Sequence, residues 1–164
     1  MSEDQTLDLD KLVSSRIERG VATVSLILEN KKLGDEEIIR LAEMEILAEV
    51  THLELGENQI SDKGVSVLCN SSFAKNLKVL NLKSNKITET GAQFIAQAES
   101  LTQLEQLILK FNRIGEQGAK YLAESQTLVN LTTLDLFRNH IGDAGAKAIK
   151  SSKNFRRVSR LRLD

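Results

Sequence analysis

The sequence predicts an α/β solenoid, a stack of like units with parallel strands along one side and helices along the other. Two observations carry this. First, Leu53, Leu80, Leu107 and Leu134 recur every 27 residues, and Asn58, Asn85, Asn112 and Asn139 recur in step with no insertion between copies. A constant interval in that range signals stacked repeats. Second, each unit joins a short alternating apolar stretch to an apolar stretch of helical period, the marks of a half-buried strand and a packed helix. Short strands separated by helices pair in parallel through crossovers on one side.

The four clear copies begin at Val50, Leu77, Leu104 and Leu131. The same step backward reaches Leu26, Leu28 and Leu33, so another unit opens near Thr23. The same step forward reaches Val158, Leu161 and Leu163, a sixth strand. Within a unit, Leu53 and Leu55 point inward while His52 and Glu54 point outward. The asparagine column follows. A buried asparagine amide satisfies backbone groups of a turn that have no strand partner, so stacked copies predict a polar ladder. The first unit has Lys31 in this column with Asn30 beside it, and an irregular turn is expected there.

Helix starts come next. Gly34, Ser61, Thr88, Gly115 and Gly142 share one column, all acceptable N-caps. Asp35, Asp62, Glu89, Glu116 and Asp143 follow, placing an acid against the positive end of each helix dipole. A row of acids is also a surface for a basic partner or a cation. Gly64, Gly91, Gly118 and Gly145 sit inside the helices, where glycine costs ~1 kcal/mol against alanine. Their repetition points to close backbone packing, and Glu37 breaks the column in the first unit. The helix faces carry Val65 and Leu68, Ala92 and Ile95, Ala119 and Leu122, Ala146 and Ile149. Leu47, Ala74, Leu101, Leu128 and Phe155 close the units.

Both ends depart from the repeat. Leu9, Leu12, Val13 and Ile17 have helical spacing and Gly20 follows, which predicts a capping helix over 7–19. Residues 1–20 are therefore expected to form a flexible tail (1–6) and this cap, and residues 21–164 the repeat domain. The last strand is an unpaired parallel edge available for pairing, guarded by Arg156, Arg157, Arg160 and Arg162.

Composition narrows the function. With 164 residues, the length suits one domain, and the formal net charge of −1 favours neither nucleic acid nor an anionic membrane. The single cysteine, Cys69, rules out an internal disulfide. It reads as a small core residue, and its setting suggests a reducing, cytoplasmic compartment. The acidic N-terminus lacks the apolar region of a secretory signal, and no apolar run approaches the ~20 residues of a membrane span.

The unit L-x-x-L-x-L-x-x-N-x-I followed by a Gly-Ala helix resembles the leucine-rich repeat family, above all its ribonuclease-inhibitor-like class, from Thr23 to Leu163. The resemblance implies a right-handed, curved horseshoe segment with parallel strands on the concave face, helices on the convex side, and a role in protein–protein recognition. The family's usual repeat is slightly longer. Relatives that regulate small GTPases or cap actin filaments use specific loop residues or a C-terminal helix that do not match here, so neither activity is carried over.

Outward strand positions form two rows: Ser25, His52, Val79, Gln106, Thr133, Arg160, and Ile27, Glu54, Asn81, Ile108, Asp135, Arg162. Their mixed chemistry contrasts with the near-constant core columns, so packing does not hold them. Ile108, Phe111 and Phe137, flanked by Lys110, Asp135 and Arg138, make a candidate partner-binding patch with Glu54 and Asn81 further along the face. The plainer reading is that the two rings fold over the turn and cover the asparagines. His52 near Glu54 and Glu57 resembles a metal or acid–base cluster only loosely.

At ~4.8 Å per strand the sheet is about 25 Å wide and offers on the order of 300 Å². A standard interface takes ~800 Å² from each partner, so the turn edge must contribute. The expected function is a non-catalytic, monomeric protein-interaction module without cofactor, metal, small-molecule substrate or membrane partner. An adaptor and a secreted bacterial effector working in host cytoplasm are versions of the same biochemistry. An alternative is nucleic-acid or acidic-surface binding through Lys150, Lys153 and the four arginines. An enzyme is disfavoured, because no nucleophile–base pair, phosphate loop or metal spacing is present.

Overall fold

The alternation of short apolar strands with helices folds as the repeat columns require. A computed structural model describes residues 7–164, and the expectation of a mobile tail over 1–6 lies outside these residues. One seven-stranded sheet runs in chain order from β1 to β7. The strands are β1 (Ile17–Arg19), β2 (Val24–Ile27), β3 (His52–Glu54), β4 (Val79–Asn81), β5 (Gln106–Ile108), β6 (Thr133–Asp135) and β7 (Arg160–Arg162). The helices are α1 (Leu9–Arg16), α2 (Asp35–Ala42), α3 (Asp62–Asn70), α4 (Glu89–Gln97), α5 (Gly115–Ala123) and α6 (Gly142–Ser151). From β2 onward every pairing is parallel, with Leu26, Leu53, Leu80, Leu107, Leu134 and Leu161 in direct register. Equivalent side chains are therefore vertical neighbours, and the chain is a parallel-sheet solenoid.

The core is one apolar cluster running the length of the stack. The inward leucines of β2 to β6 are fully buried, as are Leu47, Ala74, Leu101 and Leu128 in the segments that close the units. Each buried leucine contributes ~1.5–3 kcal/mol relative to exposure. Leu161 on β7 is exposed.

The N-terminal expectation needs correcting. The helix ends at Arg16, and Ile17–Arg19 forms a strand antiparallel to β2, with Ile17 opposite Leu26. Helical spacing and a β-branched residue at 17 fit either structure. The deciding element is a tight turn in which the Gly20 N–H donates to the Thr23 carbonyl at 2.7 Å. A β-carbon at Gly20 would lie 2.7 Å from Thr23 Oγ1. Leu9 and Val13 of α1 are buried.

The asparagine ladder forms. Asn112 Nδ2 donates to the carbonyls of Leu82 and Leu109, both at 2.9 Å, while its Oδ1 accepts from the N–H groups of Asn85 and Ile87. Asn58, Asn85 and Asn139 bridge adjacent levels in the same manner. After Asn139 the acceptor is Asp164, whose carboxylate takes the N–H groups of Asn139 and Ile141 at 3.0 and 2.9 Å. Lys31 donates its N–H to Asn58 at 3.0 Å, and that first turn carries two residues of positive φ, Asn30 and Lys32.

Each acid of the column lies in the first turn of its own helix, as expected, and two of them also reach the next unit. Asp35 Oδ1 accepts from the N–H groups of Ser61 and Gly64, which belong to the next unit. Its Oδ2 accepts from Ser61 Oγ at 2.5 Å. Asp62 repeats this with Thr88 and Gly91. This explains the helical glycines. A β-carbon at Gly64 would stand 2.6 Å from Asp35 Oδ1, and one at Gly91 would collide with Asp62 Oδ1. At Gly118 a β-carbon would stand 2.6 Å from Ile114 Cγ2 and 3.0 Å from Glu89 Cα, and at Gly145 3.1 Å from Ala119 Cβ. Gly115 and Gly142 are not N-caps. They open α5 and α6 with φ of +68° and +62°, and no equivalent carboxylate bond reaches them among the described residues. In the first unit Glu37 Oε2 accepts from the Gly34 N–H of its own helix.

A second ladder was not anticipated. Ser71, Ser125 and Ser152 donate their hydroxyls to the carbonyls of Ala42, Ala96 and Ala123, at the helix ends of the preceding units. Ala98 occupies this column in the intervening unit, and Ser100, two residues on, donates to Cys69 O at 2.6 Å instead. The interval between Ser71, Ser125 and Ser152 was visible in the sequence, but the break at Ala98 hid it.

Candidate protein-binding surface

The outward rows and the turn that follows them make one continuous surface. Along the second row, Asn81 Nδ2 donates to Glu54 Oε2 at 2.6 Å, so these two side chains are tied to one another. Ile108 is half-buried and stands in register between Asn81 and Asp135. Asp135 is buried, unlike the exposed rim residue expected. Its Oδ1 accepts from the Phe137 N–H at 3.1 Å and its Oδ2 faces Arg162 at 3.6 Å. In the first row Val79 is also buried. His52 bonds to Thr51 Oγ1 rather than to the nearby glutamates.

Past the strands, five equivalent residues hold positive φ: Asn30, Glu57, Ser84, Phe111 and Arg138, between 52° and 59°. This left-handed conformation costs a residue with a side chain ~1–2 kcal/mol, and asparagine tolerates it best. At one level the residue is phenylalanine, and Phe111 is 43% exposed. Its N–H donates to the Phe137 carbonyl at 2.9 Å, which sets the two rings on adjacent levels. They meet edge to face, centroids 6.0 Å apart and planes at 79°, the arrangement favoured by ring quadrupoles. Lys110 and Arg138 lie over the Phe111 ring, both at 5.9 Å. Arg138 and Arg162 lie over Phe137, at 5.6 and 5.3 Å.

The opposite end of the turn edge has another character. Lys83 Nζ bridges Glu29 at 2.6 Å and Glu57 at 3.1 Å. Gly56 lies between the levels of Glu29 and Lys83, and a β-carbon there would stand 2.8 Å from the Lys83 side chain. The Glu29 hydrogen bond, against a partial loss of hydration, raises the Lys83 pKa, with Glu57 adding to it.

The other candidate sites separate. Lys150 lies on α6, Lys153 in the following turn and Arg160 on β7, while Arg157 donates to Asn130 at 2.9 Å. The basic terminus is thus spread over several elements. Cys69 is buried, and desolvation pushes its thiol pKa up to about 12. A groove of about 710 Å³ lies around Phe94, Lys75 and Glu99, away from the aromatic pair. Among the described residues no group of three or more acids, histidines or cysteines is placed to hold a metal ion. No helix there is long and apolar enough to cross a membrane.

A family model described as Leucine Rich repeat matches residues 50–69, 74–96, 100–123 and 127–150, more than half of the chain. The chain belongs to the leucine-rich repeat family. No curated protein matches this leucine-rich repeat chain. Among solved structures it is similar to leiomodin-1 actin-binding site 2, with 19% identity over 88% of this chain and 86% of that one and a TM-score of 0.54. An internalin from Listeria monocytogenes has 23% identity and a TM-score of 0.42, over 77% of this chain and 37% of its own length. The leiomodin likeness supports the fold.

Proposed function

We propose that this leucine-rich repeat domain is a non-catalytic protein-interaction module. It binds its partner through the outward rows of the sheet and the adjoining turn edge, with Phe111 and Phe137 as anchors. One observation carries the reading: an exposed aromatic ring stands at a left-handed turn position that Asn30, Glu57, Ser84 and Arg138 fill at the other levels, so the turn itself does not call for a ring there. Exposed aromatics beside a polar rim are typical of binding anchors. Ile108 and Arg138 extend the contact, while Asp135 orients Phe137 and Arg162 from below. Glu54 and Asn81, bound to each other, form the far border. A cytoplasmic site of action, in an adaptor or in an effector delivered to a host cell, fits the buried reduced thiol of Cys69.

The test is site-specific photo-crosslinking in extract from the native source. A crosslinker at position 111 should trap a partner that the same crosslinker at Lys147, on α6, does not. Equal capture at both positions, or capture at neither, overturns the assignment. Purified actin is one partner to include, because the leiomodin fragment is named for binding it.

A further inference from the structure

We infer that the occupant of this surface is an acidic peptide segment carrying an apolar anchor. The anchor rests on Phe111 and Phe137, and the peptide's carboxylates face Lys110, Arg138 and Arg162. This rests on the interaction-module reading above and adds the chemistry of the partner.

Cations held over aromatic rings mark the patch. On the same edge Lys83 pairs with carboxylates of the chain, as do Arg19, Arg40, Lys63, Lys78 and Lys120 elsewhere. Lys110 and Arg138 pair with none among the described residues and lie against the rings instead. Arg162 shares itself between buried Asp135 and the Phe137 ring. A cation held over an aromatic face is oriented but not neutralised. These three follow or end β5, β6 and β7, so they rise by one level at a time, ~4.8 Å per step. The result is a strip of positive charge, of which Arg162 alone meets a carboxylate, beside one exposed ring and one half-buried one.

The rest of the face sets the length of the occupant. Toward β2 and β3 the same surface carries Glu29, Glu54 and Glu57, of which Lys83 compensates Glu29 and Glu57. A long polyanion such as nucleic acid would run from the basic strip into these glutamates. A short acidic segment meets only the basic strip, and the remainder of a protein partner can present cations to the glutamates.

Fluorescence anisotropy with the full chain tests this. Three labelled peptides share one length: aspartate and glutamate around a phenylalanine, the same peptide with lysines replacing the acids, and the acidic peptide with serine replacing phenylalanine. A single-stranded oligonucleotide is the fourth probe. The first peptide should bind, weaken as salt rises, and lose about tenfold or more on Phe111→Ala and on Arg138→Glu. The other three probes should bind at least about tenfold more weakly. Variants are accepted only if their denaturation midpoints match the parent; Lys110→Glu replaces Arg138→Glu if that chain misfolds. No binding of the first peptide, equal binding of the lysine peptide or oligonucleotide, or variants that bind like the parent would each overturn the inference. A partner crosslinked at position 111 through a neutral or basic segment would overturn it while leaving the interaction module standing.

Discussion

Asp62 caps the helix that Thr88 opens, one repeat further along, through bonds of 2.8 Å to the Thr88 N–H and 2.6 Å to its hydroxyl. The bond to the Gly91 N–H completes a three-point hold on a neighbour's helix start. Charge-assisted bonds of this type contribute ~1.5–3 kcal/mol each where they are shielded from water, and less where they are not. Asp62→Ala should therefore lower stability by about 2 kcal/mol, more than the ~1 kcal/mol of an ordinary exposed cap. Glu116→Ala, at a level where the carboxylate pairs with Lys120 instead, should cost about 0.5 kcal/mol. Urea denaturation of the two variants checks the difference.

Asn112→Ala should cost ~1–3 kcal/mol, since it strips hydrogen bonds from two N–H groups and two carbonyls in a buried turn. Leu107→Ala, a large-to-small change in a fully buried column, should cost ~2–5 kcal/mol. Equal midpoints for parent and variant in chemical denaturation would contradict the role given to either residue.

Phe111→Gly separates binding from stability. Relief of the left-handed backbone returns ~1–2 kcal/mol. Loss of the edge contact with Phe137 removes ~0.5–1.5 kcal/mol, and glycine's added chain entropy takes ~0.5–1 more. The denaturation midpoint should shift by no more than about 1.5 kcal/mol equivalent, while crosslinking through a probe at Phe137 is lost. A loss of several kcal/mol would make Phe111 a structural residue.

Acid should loosen the β7 end through Asp164. Partial burial works to raise its pKa, but the N–H groups of Ile141, Asn139, Arg138 and His140 outweigh that and hold it below the ordinary 3.8. A carboxylate depressed in the folded chain adds stability above its unfolded pKa and loses it as pH falls through the folded one. The contribution is therefore intact above about pH 4 and disappears below it. Asp164→Asn should flatten that part of the pH–stability curve, measured by thermal unfolding between about pH 2 and 6.

Cys69 offers a reporter. Because the thiolate is the reactive form and burial pushes its pKa up to about 12, native protein at pH 8 should resist thiol reagents. Labelling should proceed at the rate of local or global opening. Fast stoichiometric labelling of the folded chain would show that the thiol is accessible.

Much of the fold was legible because vertical spacing and sheet register are one quantity here: Leu53 and Leu80 share a column in the sequence and a rung in the sheet. Columns do not show which way a side chain reaches. The sequence reading gives Asp35 and Asp62 to their own helices because it aligns levels without saying that one carboxylate spans two of them, while Ser61 does cap its own helix. β1 was missed because its three residues continue the helical spacing of α1. Ile108, Phe111 and Phe137 could be placed on one edge from the columns alone. The buried role of Asp135 could not, because an aspartate in an outward row reads as solvated until the Phe137 N–H is seen bonded to it.

The lines of cross-level bonds run in opposite directions. Asparagines and serines hold the level before them, and Asp35 and Asp62 hold the level after them, so the front half is latched both ways. From Gly115 onward the forward latch lapses. The front of the array should then behave as one cooperative block, while the rear levels peel away singly, and hydrogen exchange would read this as a gradient of protection falling toward the aromatic end. Such a gradient would place the aromatic pair on the levels that open first.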